Sequence, residues 1–459
     1  MHGGRQELEN RSASAPNPAE IMQAARQREV SLSRLLIAYI SSGLVFMLLP
    51  GTFLGVWNLL QISGRESVAS VSPAWIQAHG HAQVFGWIGS FILGIGFYSI
   101  PKLRGTSKGA FAAAWICWAM WTLGVALRWL ENVYGWHWRL LLPASSVLEL
   151  TAFAIFFRAV SKHRPDATGS TRLGPWIWVV ISGGVGLLLT LVANAAATFY
   201  LAWRGTGPAL DHVLDQRYLT LLAWGFLVPF VWGFSAKWLA VFLGLKPVRN
   251  GLLLIAVALN FGGIVVVFAG YPSTATLLFV ASSIIAAVAL RIFEPARQPA
   301  KTRGVHASFP AWVRTAYLWM LIAASLGVAA GVWDSSGGIW GASRHALTVG
   351  FVAVMVLAIG QRILPAFAGM RLLWSTWLMF ASLALLMTGC TLRVSCEVLA
   401  YQNYAAWAWS VLPASALLEL GGVMAFAMNI FGTFVLEPSR FYKHPVVVPS
   451  IDTRGSQTV

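Results

Sequence analysis

Twelve long apolar stretches, parted by short polar segments, set the pattern of this chain. They run at about 33–57, 80–101, 110–130, 140–160, 175–201, 217–243, 250–269, 272–291, 314–333, 345–367, 373–395 and 405–432. Each is long enough for an α-helix to cross a bilayer, which takes about 20 mostly apolar residues. The pattern predicts an all-α polytopic membrane protein with about 12 transmembrane helices. It divides the chain into a flexible tail (1–32, with a short surface helix near Ala19–Arg28), one membrane domain (33–432) and a C-terminal tail (433–459). The start of the chain lacks an apolar run, so no cleavable signal peptide is expected.

Charge orients these helices. The N-terminal tail carries Arg5, Arg11, Arg26 and Arg28, and alternate loops carry Lys102, Arg104 and Lys108; Lys162, Arg164 and Arg172; Lys246 and Arg249; Arg297, Lys301 and Arg303; and Arg371. The other loops hold few or mixed charges, such as Arg65 with Glu66. By the positive-inside rule both termini are cytoplasmic. His79, His81, His137, His212 and His345 then fall toward the outer face, and His2, His163, His306 and His444 toward the inner one.

Composition agrees with this reading. Of 459 residues, 57% are hydrophobic and 10% charged, against about 25% charged in a soluble domain; the mean hydropathy is +0.68. The net charge of +16 resides in loops and tails, so it argues for membrane lipid as partner and against nucleic acid. Cys117, Cys390 and Cys396 all lie in apolar stretches, where no disulfide framework is expected. No C-x-x-C-H occurs, which excludes that route to covalent haem.

Two segments recur. "LLPASSVLELTAF" (141–153) returns as "VLPASALLELGGV" (411–423), and "HAQVFGWIGSFILGIGFYSIPKLRG" as "HALTVGFVAVMVLAIGQRILPAFAG". His81 thereby matches His345, Pro101 matches Pro365, Arg128 matches Arg393, and Glu149 matches Glu419. The repeat unit is four helices, giving three units (33–160, 175–291, 314–432) in a pseudo-threefold arrangement. "LLAWGFLVPFVWGFSAKW" is the degenerate middle copy; its Lys237 reads as an interface anchor.

The matched residues suggest chemistry. Ionisable side chains inside a membrane are costly and mark functional positions. Two imidazoles on facing helices, His81 and His345, suit the axial positions of a bis-His haem b; the alternative is a pair of structural core histidines. His79 is two residues from His81, a rotation of about 200° on a helix, so the two rings cannot easily share one ion. Imidazole suits copper, which makes His79, His137 and His212 candidate ligands of an outer copper site. Arg128 and Glu149, and Arg393 and Glu419, are expected to pair across their hairpins, as structural clamps, as a proton path, or with the arginines facing haem propionates. Arg344, beside His345, is a further propionate candidate. The roles of Glu149 and Glu419 remain open between these.

The H-x-H-A opening of the second stretch and "HALTVG" opening the tenth resemble the NnrS family of haem- and copper-containing membrane proteins, over about 33–432. That resemblance implies a link to nitric oxide response or denitrification, with nitric oxide or an electron donor as partner. It extends distantly to the haem-copper oxidase large subunit, where the low-spin haem is held from the second and tenth helices. Here the sixth and seventh stretches lack histidine and the tenth offers only His345, so an oxidase-type binuclear centre is not expected. The second stretch reads "HGHAQ" where the NnrS pattern has an acidic residue. A transporter without redox cofactor, using the matched His and Arg/Glu residues for proton coupling, is the alternative.

Overall fold

The computed structural model describes residues 18–103, 111–161 and 174–438. Most of the expected N-terminal tail, residues 439–459 of the C-terminal one, and loop residues such as Arg104, Lys108, His163 and Arg172 lie outside the described residues. Twelve helices are long and apolar enough to span a membrane, and no strand occurs among the described residues. We number them α1 (Ala19–Arg65), α2 (Pro73–Lys102), α3 (Phe111–Tyr134), α4 (Trp138–Ser161), α5 (Trp176–Arg204), α6 (His212–Leu243), α7 (Asn250–Phe268), α8 (Pro272–Leu290), α9 (Phe309–Trp333), α10 (Gly338–Phe367), α11 (Thr376–Tyr401) and α12 (Trp407–Val435). The chain is an all-α polytopic membrane protein. One boundary differs from expectation: the helix leading into α1 begins at Pro18, so residues 18–32 continue it rather than forming a tail.

Short connections force sequence neighbours to pack. α3 lies along α4, α7 along α8 and α11 along α12, and α12 returns onto α1, closing the bundle. The interior belongs chiefly to α2 and α10, whose most apolar windows are 78% and 67% buried, against 33% for α3, α5 and α7. The outer helices instead present side chains such as Leu123, Val265 and Phe431 outward, as a lipid-facing wall does.

α2, α6 and α10 are built alike. Each opens with two turns of α-helix, passes through a π-helical segment (Ala82–Gly89, Leu221–Leu227, Ala346–Ala353) and resumes as α-helix. Such widened turns leave backbone groups off the regular ladder and concentrate at functional sites. A fourth π segment, Met47–Phe53 in α1, contains Pro50, which has no N–H to donate. The Met47 carbonyl is met by Thr52 Oγ1 at 2.8 Å, and Gln83 of α2 donates to that hydroxyl, also at 2.8 Å.

Glycines set the closest approaches. A Cβ on Gly186 of α5 would stand 1.8 Å from the Gly225 carbonyl oxygen of α6, so these two helices touch backbone to backbone, as small-residue membrane interfaces do.

Candidate functional site

His81 is the last α-helical residue of α2 before its π segment, and His345 the last before that of α10. The repeat read in the sequence is therefore a shared backbone position. Their side chains, however, are used differently.

His81 is buried, with its ring stacked on Phe85 at 4.5 Å. Its Nε2 lies 2.7 Å from Glu149 Oε1 of α4, and Asn194 of α5 donates to Glu149 Oε2 at 3.3 Å. Glu149 is 0% exposed and can sit there because Gly124 of α3 leaves room: a Cβ on that glycine would meet Glu149 Cγ at 2.9 Å. A carboxylate this far from water needs such partners, since an unpaired buried charge is strongly unfavourable.

His345 turns the other nitrogen inward. Its Nδ1 hydrogen-bonds the Gly341 carbonyl one turn back at 3.0 Å and lies 2.9 Å from Glu397 Oε2 of α11. Glu397 also lies 3.3 Å from Arg393 Nε. Gly341 admits this carboxylate, because a Cβ there would come 2.2 Å from Glu397 Oε1.

His79 shares this second arrangement. Its Nδ1 bonds the Gly51 carbonyl of α1 at 2.9 Å, and its ring fills a notch at Gly55, where a Cβ would meet His79 Cε1 at 2.6 Å. His79 also stands within electrostatic reach of His345 and Arg393. Neither His79 Nε2 nor His345 Nε2 has a hydrogen-bond partner among the described residues. A histidine whose Nδ1–H is held by a carbonyl or carboxylate presents Nε2 as a metal ligand, with ring orientation and tautomer fixed.

The arginines sit nearby, but not in the expected pairs. Arg128 pairs with Glu131 on its own helix (3.7 Å), not with Glu149, and Arg393 with Glu397, not with Glu419. One-turn spacing on a single helix face wins over the cross-hairpin contact, and each matched carboxylate packs instead over a glycine, Glu149 on Gly124 and Glu419 on Gly389. Arg344 donates to Gln216 of α6 at 2.9 Å and faces Asp215. Arg128 Nε and Nη1, both Glu131 oxygens and the hydroxyl of Tyr218 are buried without hydrogen-bond partners. Arg128 interacts electrostatically with Tyr218 and Asp215.

The expected copper ligands are not gathered. No group of three or more His, Cys, Asp or Glu side chains converges as for a metal ion among the described residues. His137 occupies a turn at φ 48° with its ring beside Trp136, and His212 opens α6 behind the N-cap Asp211. The three cysteines are free and buried.

A family model described as a domain of unknown function (DUF8744) matches residues 220–429. No curated protein matches the chain. Among solved structures, that of a haem-copper terminal oxidase dimer is similar, with a TM-score of 0.55 and 11% identity over 91% of this chain and 88% of that one. The chain has a fold distantly like that of a haem-copper oxidase.

The donor set includes groups of the kind that hold a haem. It offers two carbonyl-tethered imidazoles with free Nε2 atoms, on α2 and α10. It also offers a buried guanidinium, Arg128, whose Nε and Nη1 lack acceptors, as a carboxylate-bearing group requires. It does not fit a protein-ligated copper centre.

Proposed function

We propose that this protein is a haem-binding redox protein of the membrane, with His345 and His79 as the axial pair. The observation that carries the reading is the shared tether: each Nδ1 is fixed by a glycine carbonyl, and each Nε2 is left free. A haem so held, with imidazole on both axial positions, would supply one-electron transfer. The chain's own residues do the rest. Gly51 and Gly341 carbonyls orient the rings, Glu397 raises the basicity of His345, and Arg128 and Arg344 offset acidic substituents. His81 and Glu149 form a buried hydrogen-bonded pair able to hold a proton beside this site. The resemblance to NnrS proteins makes nitric oxide response the context to test and a bacterial inner membrane the setting, while the charge pattern of the loops supports cytoplasmic termini and the sequence repeat supports three four-helix units in pseudo-threefold order.

The common backbone position of His81 and His345 favours a second axial assignment, in which His81 leaves Glu149 to ligate. Purified wild-type protein is expected to show a b-type Soret band and about one haem by pyridine haemochrome. His345→Ala and His79→Ala should each lose or shift the band while His81→Ala keeps it; the reverse for His79 and His81 selects the second assignment. Colourless protein refolded or expressed with haem supply sinks both, and leaves the proton-coupled transporter, for which the buried His81–Glu149 pair and the unpartnered Glu131 and Glu419 oxygens would be the working groups.

A further inference from the structure

At the opposite end of the bundle from His79, His81 and His345, the ends of α5, α6 and α7 and the 291–308 connection frame an open pocket of about 620 Å³. Its lining is mixed, apolar from Trp176, Ala240 and Val241 and basic from Lys237, Arg297 and Lys301. None of these three cations makes an ion pair among the described residues. The one nearby carboxylate of the connection, Glu294, is taken by Arg249 and Arg291.

The rim is built rather than incidental. Gly244 ends α6 in the left-handed conformation (φ +67°), and a Cβ on it would come 2.1 Å from the Gln298 carbonyl oxygen. Its carbonyl accepts from the Arg297 and Gln298 N–H groups at 2.8 and 3.2 Å, and Lys301 N–H bonds the Phe242 carbonyl at 2.8 Å. The backbone carrying Arg297 and Lys301 is thus laid against the end of α6. Lys237 reaches the same space from within α6, its ammonium 5.0 Å from the Trp176 ring centroid, where the aromatic face holds it. α5 and α7 also start here, at Trp176 and Asn250, and the N-termini of helices add positive potential.

We infer that this cavity binds the headgroup phosphate of an anionic phospholipid, with the acyl-proximal part of the lipid against Trp176, Ala240 and Val241. The chemistry recognised is a phosphate oxyanion. A lipid rather than free phosphate is the occupant because apolar side chains line the pocket beside the cations and include outward-facing Val241, which is 48% exposed. Basic pockets between membrane helices take such headgroups.

The test uses the full-length protein, delipidated in a neutral detergent, with bound lipid counted by native mass spectrometry. The probes are phosphatidylglycerol, phosphatidylcholine of the same chains, and inorganic phosphate. Each basic residue near an anionic headgroup contributes about fivefold in affinity, so three contribute on the order of a hundredfold. We expect a preference for phosphatidylglycerol of at least about tenfold, lost in the triple variant Lys237→Gln/Arg297→Gln/Lys301→Gln. Ala240→Phe, which fills the cavity without changing charge, should weaken phosphatidylglycerol binding about tenfold. Equal binding of the two lipids, an unchanged preference in the triple variant, or unchanged phosphatidylglycerol binding in Ala240→Phe overturns the inference. Inorganic phosphate competing at the lipid's own concentration overturns the choice of lipid and assigns the pocket to the free anion.

Discussion

Gly55→Ala is the sharpest probe of the axial pair, because it moves one histidine without touching any donor atom. The added methyl would stand 2.6 Å from His79 Cε1 and 2.8 Å from Nδ1. Carbon contacts settle near 3.5 Å, so the ring must retreat by about 1 Å, which breaks its 2.9 Å bond to the Gly51 carbonyl. The lost hydrogen bond costs about 1 kcal/mol and the overpacking about 1–3 kcal/mol. Replacing a helical glycine by alanine returns about 1 kcal/mol, for a net loss of about 1–3 kcal/mol. Gly64→Ala supplies the control. It lies on the same helix and a Cβ there meets nothing within 4 Å, so it should be neutral or slightly stabilising. The assay is the absorption and electron paramagnetic resonance spectrum of the purified pair, with thermal melting in parallel. Gly55→Ala should perturb the low-spin signal and lower the melting temperature, and Gly64→Ala should do neither. An unperturbed spectrum in a Gly55→Ala protein that does melt earlier would show that the ring moved and no ligand moved with it, refuting His79 as a ligand.

Two other outcomes follow from the packing and the charges. Gly186→Ala drives a methyl to 1.8 Å from a backbone oxygen of α6, which cannot rotate away, whereas a Cβ on Gly184 meets nothing within 4 Å; the first should cost about 3 kcal/mol and the second nothing, read as thermal stability in detergent. Glu294, outside the membrane-length helices, is held below the usual carboxylate range, chiefly by the Arg291 hydrogen bond and then by the charges of Arg291, Arg249 and Lys246. A lowered pKa stabilises fully above the unfolded value of about 4.3 and that contribution is lost as pH falls below it through the lowered folded value, so the stability difference between wild type and Glu294→Gln should hold from pH 7 to about pH 5 and shrink as pH falls further; a difference that stays constant at acid pH refutes the pairing.

The fold was legible because membrane length is a one-dimensional property: a run of apolar residues long enough to span declares itself without any knowledge of its neighbours. The equivalence of His81 and His345 was legible for a related reason, as it is carried by a repeated string. Their partners were not. Glu397 and Glu131 each lie within one turn of an arginine, in "RVSCE" and "RWLE", and that spacing signals pairing along the helix. The matched carboxylates Glu149 and Glu419 drew attention across the hairpin instead. Gly51, whose carbonyl holds His79, lies next to Pro50, and a proline inside an apolar run signals an irregular turn. Which side chain meets that carbonyl depends on how α1 and α2 pack, which no local pattern encodes. The π segments of α2, α6 and α10 are likewise not announced by a proline such as that of the α1 segment.

The two halves of the repeat also show how equivalent residues take different work. Each half offers its histidine two carboxylates, one packed over a glycine (Glu149, Glu419) and one beside an arginine (Glu131, Glu397). His81 takes the first kind through Nε2, and His345 approaches the second through Nδ1. Both oxygens of Glu131, Oε1 of Glu419 and Oε2 of Glu397 are buried without a hydrogen-bond partner, whereas Glu149 accepts through both oxygens. Using Nε2 commits that nitrogen of His81 to Glu149. Using Nδ1 leaves Nε2 of His345 unpartnered, as it is in His79, a residue with no counterpart in the repeat. The repeat thus sets a shared position, and the choice of ring nitrogen sets each histidine's partners.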